Sequence, residues 1–151
     1  MTGVTITAVP ESAIADFVKG YLVCALWSTN DESDESGGDP LDYNYDIDAI
    51  HPGSALGARE ECLAFMQSNW EDLQGYSKTR DYRPEHGSIW EYAGHDFWLT
   101  RNGHGAGFWD RGLGELGDRL SVASKTYAGQ DIYVGDDGKL YLSGFESRES
   151  L

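Results

Sequence analysis

Residues 94–111 read GHDFWLTRNGHGAGFWDR, and how this stretch folds decides how the chain folds. Asn102-Gly103 is a strong short hairpin signal, because a type I′ turn needs positive φ at both central positions. A turn there predicts two antiparallel strands in a fixed register. Arg101 then faces His104, Leu99 faces Ala106 and Phe97 faces Phe108 on one side. Thr100 faces Gly105, Trp98 faces Gly107 and Asp96 faces Trp109 on the other. A large ring such as Trp98 covers the bare backbone of a glycine opposite it. The Phe97–Phe108 pair is expected to anchor the hairpin in the core.

The same register sets His95 opposite Asp110. Such a pair is the minimal form of a general base with an orienting carboxylate. His95, Asp96, Arg101, His104 and Asp110 are therefore the candidate reactive set. Against catalysis, no Ser or Cys stands nearby in a nucleophile-elbow context and GxSxG is absent. His95 and His104 fall at opposite ends of the hairpin, too far apart to share a metal. NGHGAG lacks the GK[ST] ending and the strand-to-helix setting of a phosphate loop. The expectation is no catalytic residue, no metal site and no cofactor.

On the N-terminal side, Met1 to Val9 alternates weakly and predicts a short edge strand. Ile14, Phe17, Val18, Tyr21, Leu22, Ala25 and Leu26 recur at helical spacing after Pro10, which predicts an amphipathic helix. Residues 29–40 predict a flexible acidic loop, with Gly37, Gly38 and Pro40 excluding a continuous helix. Residues 41–50 predict an extended segment with Tyr43, Tyr45 and Ile47 along one edge. Asp42, Asp46 and Asp48 partly resemble a calcium loop, but its glycine and terminal glutamate are missing. Ser54 is placed to cap a second helix reaching about Leu73, with Ala58, Cys62, Phe65, Met66, Trp70 and Leu73 buried. Residues 74–87 read as a polar connection and 89–93 as a strand.

On the C-terminal side, Leu113, Leu116, Leu120, Ala123 and Tyr127 predict a third helix closed by Gly129. A second hairpin follows, with Ile132 and Val134 answered by Leu140 and Leu142 across the turn Gly135-Asp136-Asp137-Gly138. The tail after Gly144 is expected to fray. The fold class is α+β: a small antiparallel sheet of two hairpins packed with about three helices, in one domain spanning 1–151.

Charge bounds the partners. Asp and Glu total 26 against 11 Lys and Arg, a formal net charge of −15. Such a chain repels phosphate backbones and anionic membranes, so neither direct nucleic-acid binding nor membrane binding is expected. No stretch approaches the ~20 apolar residues a membrane helix needs. The first residues lack signal-peptide order, so a soluble cytoplasmic protein is expected. Cys24 and Cys62 lie on apolar helical faces, as buried free thiols do. Eight acids and no base fall between Asp31 and Asp48.

The run HDFWLTRNGHGAGFWDR, with Leu116, Leu120 and then YVGDDGKLYL, resembles short uncharacterised proteins of bacteriophages and related mobile elements. The resemblance spans about residues 88–142 and leaves the acidic first half outside it. It implies a setting, a small accessory gene acting in the cytoplasm of a bacterial host. Small acidic phage proteins of the anti-restriction and anti-CRISPR kind block host machines by presenting carboxylates where DNA phosphates would bind.

Together these readings predict a non-enzymatic viral protein that inhibits or modulates a host DNA- or RNA-binding protein through a DNA-mimicking surface. The partner-binding residues are expected to be Asp31, Glu32, Asp34, Glu35, Asp39, Asp42, Asp46, Asp48, Glu60, Glu61, Glu71 and Asp72. The alternatives are a small hydrolase-like enzyme using His95 and Asp110, or a phage structural or assembly protein. The sequence leaves the oligomeric state open.

Overall fold

The computed structural model describes residues 8–33 and 38–147. Five helices carry the chain: α1 (Glu11–Ser28), α2 (Pro52–Ser68), α3 (Trp70–Thr79), α4 (Ile89–Arg101) and α5 (Glu115–Lys125). One antiparallel pair, β1 (Ile132–Val134) and β2 (Leu140–Leu142), completes the fold. The architecture is α+β but helix-dominated. Of the edge strand expected over residues 1–9, residues 1–7 lie outside the described ones, and Ala8 and Val9 are not in a strand.

The decisive correction concerns residues 89–111. They do not form a strand and hairpin. Ile89–Arg101 is a helix, opened by a capping box in which Ser88 Oγ accepts from Glu91 N at 3.2 Å and Glu91 Oε2 accepts from Ser88 N at 2.8 Å. Its C-terminus is a Schellman turn. Gly103 N donates to Thr100 O at 3.2 Å and His104 N donates to Leu99 O at 3.0 Å. Gly103 takes φ +71°, as the turn demands, but Asn102 sits at φ −94°. A type I′ turn would need positive φ at both. The segment then folds back on the helix end: Phe108 N donates to the buried Thr100 Oγ1 at 3.0 Å.

Phe97 and Phe108 are core residues, both 0% exposed, but they meet the core from a helix and a 3-10 turn rather than across strands. Phe97 stacks on Phe65 at 4.1 Å, and Phe65 lies 6.1 Å from Phe108. Phe17, Tyr21 and Tyr127 close around Phe97 at 5.9, 5.4 and 5.4 Å. Offset and edge contacts of this kind are favoured by the ring quadrupoles. Trp98 is buried against Tyr21, and its indole N–H donates to Ser28 Oγ at 2.8 Å, not over Gly107.

α1 and α4 make the most extensive helix contact in the molecule. Glycines permit it. A Cβ at Gly20 would overlap the carbonyl oxygen of Glu91, and one at Gly94 would overlap that of Phe17. The two backbones touch with no side chain between them.

The second helix is longer than expected and broken. Asn69, at φ −125° and ψ 21°, separates α2 from α3, and α3 takes in part of the expected polar connection. His51 Nδ1, not Ser54, caps α2 by accepting from Gly53 N at 3.1 Å. Ser54 Oγ instead accepts from Leu142 N at 3.1 Å, which fixes the hairpin to α2. The hairpin itself stands as read, with Ile132 opposite Leu142 and Val134 opposite Leu140. Residues 41–50 are two 3-10 turns rather than an extended edge. The acidic loop is closed at its base: Asp31 N donates to Asp39 O at 2.8 Å and Leu41 N to Thr29 O at 2.9 Å.

Candidate functional site

α4 carries polar groups on more than one face, and each is met by a different part of the chain. Asp96 is 0% exposed and is the hub of the first group. Its Oδ2 accepts from Tyr76 OH at 2.7 Å and Arg80 Nε at 3.0 Å. Its Oδ1 accepts from Arg111 Nε at 3.0 Å and Nη2 at 2.8 Å. A buried carboxylate persists only when its lone pairs are filled in this way. Burial, reinforced by the Asp96 charge, pushes the Tyr76 phenol well above its ordinary value, so it stays a donor. Arg80 also lies over the Tyr92 ring at 4.7 Å.

Arg101 is the hub of the second group. Its Nη1 donates to Tyr21 OH at 3.0 Å and pairs with Glu61, and its Nε donates to Ala128 O at 2.9 Å. Tyr21 OH in turn donates to Gln130 Oε1 at 2.5 Å, and Gln130 Nε2 donates to Ser143 O at 3.0 Å. This chain of bonds ties α1, α2 and α4 to the hairpin. Cys62 is buried nearby and Cys24 is buried in α1, both free. Burial raises both thiols, so neither is a ready nucleophile at neutral pH.

Two clefts open beside α4. One, about 670 Å³, takes Trp98, Asn102 and His104 on one wall and Asp131 and Tyr133 on another. The other, about 750 Å³, takes Lys19, Trp27, Arg80, Tyr92, His95 and Arg111. His95 is half-buried, its ring 5.5 Å from that of Trp27. Burial lowers its pKa below the ordinary 6.5, with Asp96 opposing and Arg111 and Arg80 assisting.

That shift has a consequence for stability. Below pH 6.5 the unfolded chain takes up a proton at this position before the folded one does. Stability is therefore full above that value and falls as pH drops toward the lower folded pKa. Urea unfolding at pH 7.5 and 5.5 is expected to show a smaller loss on acidification for His95→Gln than for the wild type. Equal losses would remove His95 from the account.

The His95–Asp110 dyad is not formed. Asp110 Oδ1 accepts from Gly107 N at 3.0 Å and lies 3.6 Å from Arg111 Nε. No hydrogen bond joins it to His95 among the described residues. The helix sends His95 and Arg101 to different groups, and His104 is exposed beyond the helix end. The expected acidic set is likewise divided. Asp39, Asp42, Asp46, Asp48, Glu60 and Glu71 are exposed, as is Glu32, with Asp31 half-exposed. Asp31 accepts from Ser33, and Asp46 accepts from Asp48 N at 2.9 Å. Glu61 is engaged by the buried Arg101 and Asp72 by the exposed Arg119, so both are paired within the chain. Asp34 and Glu35 lie outside the described residues. Arg80 and Arg111 were not among the expected site residues, since nothing local in the sequence links them to Asp96.

No helix among the described residues is long and apolar enough to cross a membrane. Comparison with protein-family models, curated proteins and solved structures gives no match.

Proposed function

We propose that this chain is a non-enzymatic accessory protein of a phage or mobile element, acting in a bacterial host. Its acidic surface occupies the basic groove of a host nucleic-acid-handling protein. The observation that carries this reading is how the charges are distributed. At least six of the 11 Lys and Arg are tied into ion pairs with the protein's own acids, namely Lys19, Arg59, Arg80, Arg101, Arg111 and Arg119. Asp39, Asp42, Asp46 and Asp48 stay exposed around a loop whose base is pinned by backbone hydrogen bonds. A held array of carboxylates attracts a groove lined by Lys and Arg, and the attraction weakens with salt.

The test is capture of host proteins on the immobilised protein at low and high salt, with duplex DNA as competitor. A specific partner is expected to be retained at low salt, released by salt and displaced by DNA. Asp42→Asn with Asp46→Asn should lower capture while the fold stays intact, because asparagine preserves the Asp46 cap. Undiminished capture by that double variant, or a partner indifferent to DNA, defeats the reading.

A further inference from the structure

The second cleft contrasts with the rest of the molecule. In a chain of net charge −15, two guanidinium groups are among the residues that line it. Arg80 and Arg111 share one buried carboxylate, Asp96. Arg80 spends Nε on Asp96 and Nη1 on the Asp81 carbonyl, at 2.5 Å. Arg111 spends Nε and Nη2 on Asp96. Arg80 Nη2 and Arg111 Nη1 have no hydrogen-bond acceptor among the described residues.

The other charges nearby offset this pair but leave those two N–H groups without an acceptor. Lys19 and Glu91, on the cleft wall, neutralise each other at 3.1 Å. Asp110 accepts from the Gly107 N–H and also forms an ion pair with Arg111 at 3.6 Å. Asp42 reaches the cleft from an exposed turn, where water screens it. What remains for an incoming anion is not a spare charge but the two unused N–H donors, Arg80 Nη2 and Arg111 Nη1. Planar guanidinium forks match carboxylate and phosphate oxygens.

The walls add a second requirement. Trp27, 56% exposed, lines the cleft with the His95 ring beside it, and the Tyr92 ring lies under Arg80. A volume of about 750 Å³ falls within the range of small-molecule and cofactor sites. We propose that this cleft binds a small organic anion bearing a planar ring. Its carboxylate or phosphate lies on Arg80 and Arg111, and its ring lies against Trp27. This site adjoins the acidic surface and shares Asp42 with it, but the residues that hold the ligand are different ones.

The probes are adenosine 5′-monophosphate and indole-3-acetate, with adenosine and inorganic phosphate as ring-only and anion-only controls. Binding is read by calorimetry and by tryptophan fluorescence. One of the two ring-bearing anions is expected to bind at least about tenfold tighter than either control, and which one it is separates phosphate from carboxylate. Trp27→Ala, at an exposed position, should weaken that binding by about tenfold. Val122→Ala, exposed on α5, should leave it unchanged. Asp42→Asn should strengthen it by removing a like charge from the rim. That is the opposite sign to its expected effect on protein capture, so failure of one proposal is distinguishable from failure of the other. Absence of binding by both anions at millimolar concentration overturns the proposal, and so does binding indifferent to Trp27→Ala and Asp42→Asn.

Discussion

Asp96→Asn is expected to destabilise the protein by about 3–5 kcal/mol, the cost of breaking a buried ion pair by removing one partner. The substitution keeps the shape and removes the charge that two arginines and Tyr76 converge on. An amide offers one acceptor oxygen in place of two and turns its N–H₂ toward a guanidinium. Arg80, whose side chain is 11% exposed, has little contact with water while it lies on the Tyr92 ring. In a domain of this size each kcal/mol moves Tm by about 2–4 °C, so a drop on the order of 10 °C should be seen in thermal unfolding. Asp118→Asn, at an exposed position on α5, is the matched control and should change stability by less than about 0.5 kcal/mol. If the two variants unfold alike, Asp96 is not the desolvated hub its burial indicates.

Gly94→Ala should cost about 3 kcal/mol, against the usual direction of such a change. Alanine is favoured over glycine by up to about 1 kcal/mol in a helix interior, and Gly94 lies inside α4. Its Cβ, however, would overlap the Phe17 carbonyl oxygen and come within 2.8 Å of Tyr21 N. These are backbone atoms, so no rotamer change relieves the overlap and α1 must move off α4. Overpacking of this kind costs about 1–3 kcal/mol even where side chains can yield. Gly105→Ala is the informative comparison, because no atom outside its own neighbours lies within 4 Å of a Cβ there and its φ is unrestricted. Urea denaturation should find it near neutral. The hairpin reading makes the opposite forecast, since there Gly105 and Gly107 face cross-strand partners.

The contrast between those glycines shows why residues 94–111 mislead as a sequence. Asn-Gly signals positive φ, which a type I′ turn needs at both residues and a helix C-terminus only at the glycine. Ser88 and Glu91 bracket the other end as a capping box three residues apart, and that signal was available. It loses force because α4 has no clean stripe. Ala93, Gly94, Asp96, Phe97, Trp98, Leu99, Thr100 and Arg101 are all buried. A helix enclosed on several sides carries no amphipathic period to be read. α1 was legible, and so was the β1–β2 hairpin, because each presents one apolar face and a local turn or start signal.

Amino-acid order alone specified the net charge, the two buried thiols, α1 and the C-terminal hairpin. These follow from composition, short-range periodicity and turn chemistry, which act between near neighbours. Only the tertiary structure decided which charges are spent inside. Asp96 meets Arg80 and Arg111, 16 and 15 residues away, and Arg101 meets Glu61 and Tyr21, 40 and 80 residues away. Those pairings are set where helices cross and water is excluded, because an ion without its partner there is too costly to keep. Segment 94–111 supplied Asp96, Arg101 and Arg111 to them. What each residue does was fixed by partners that no local pattern names.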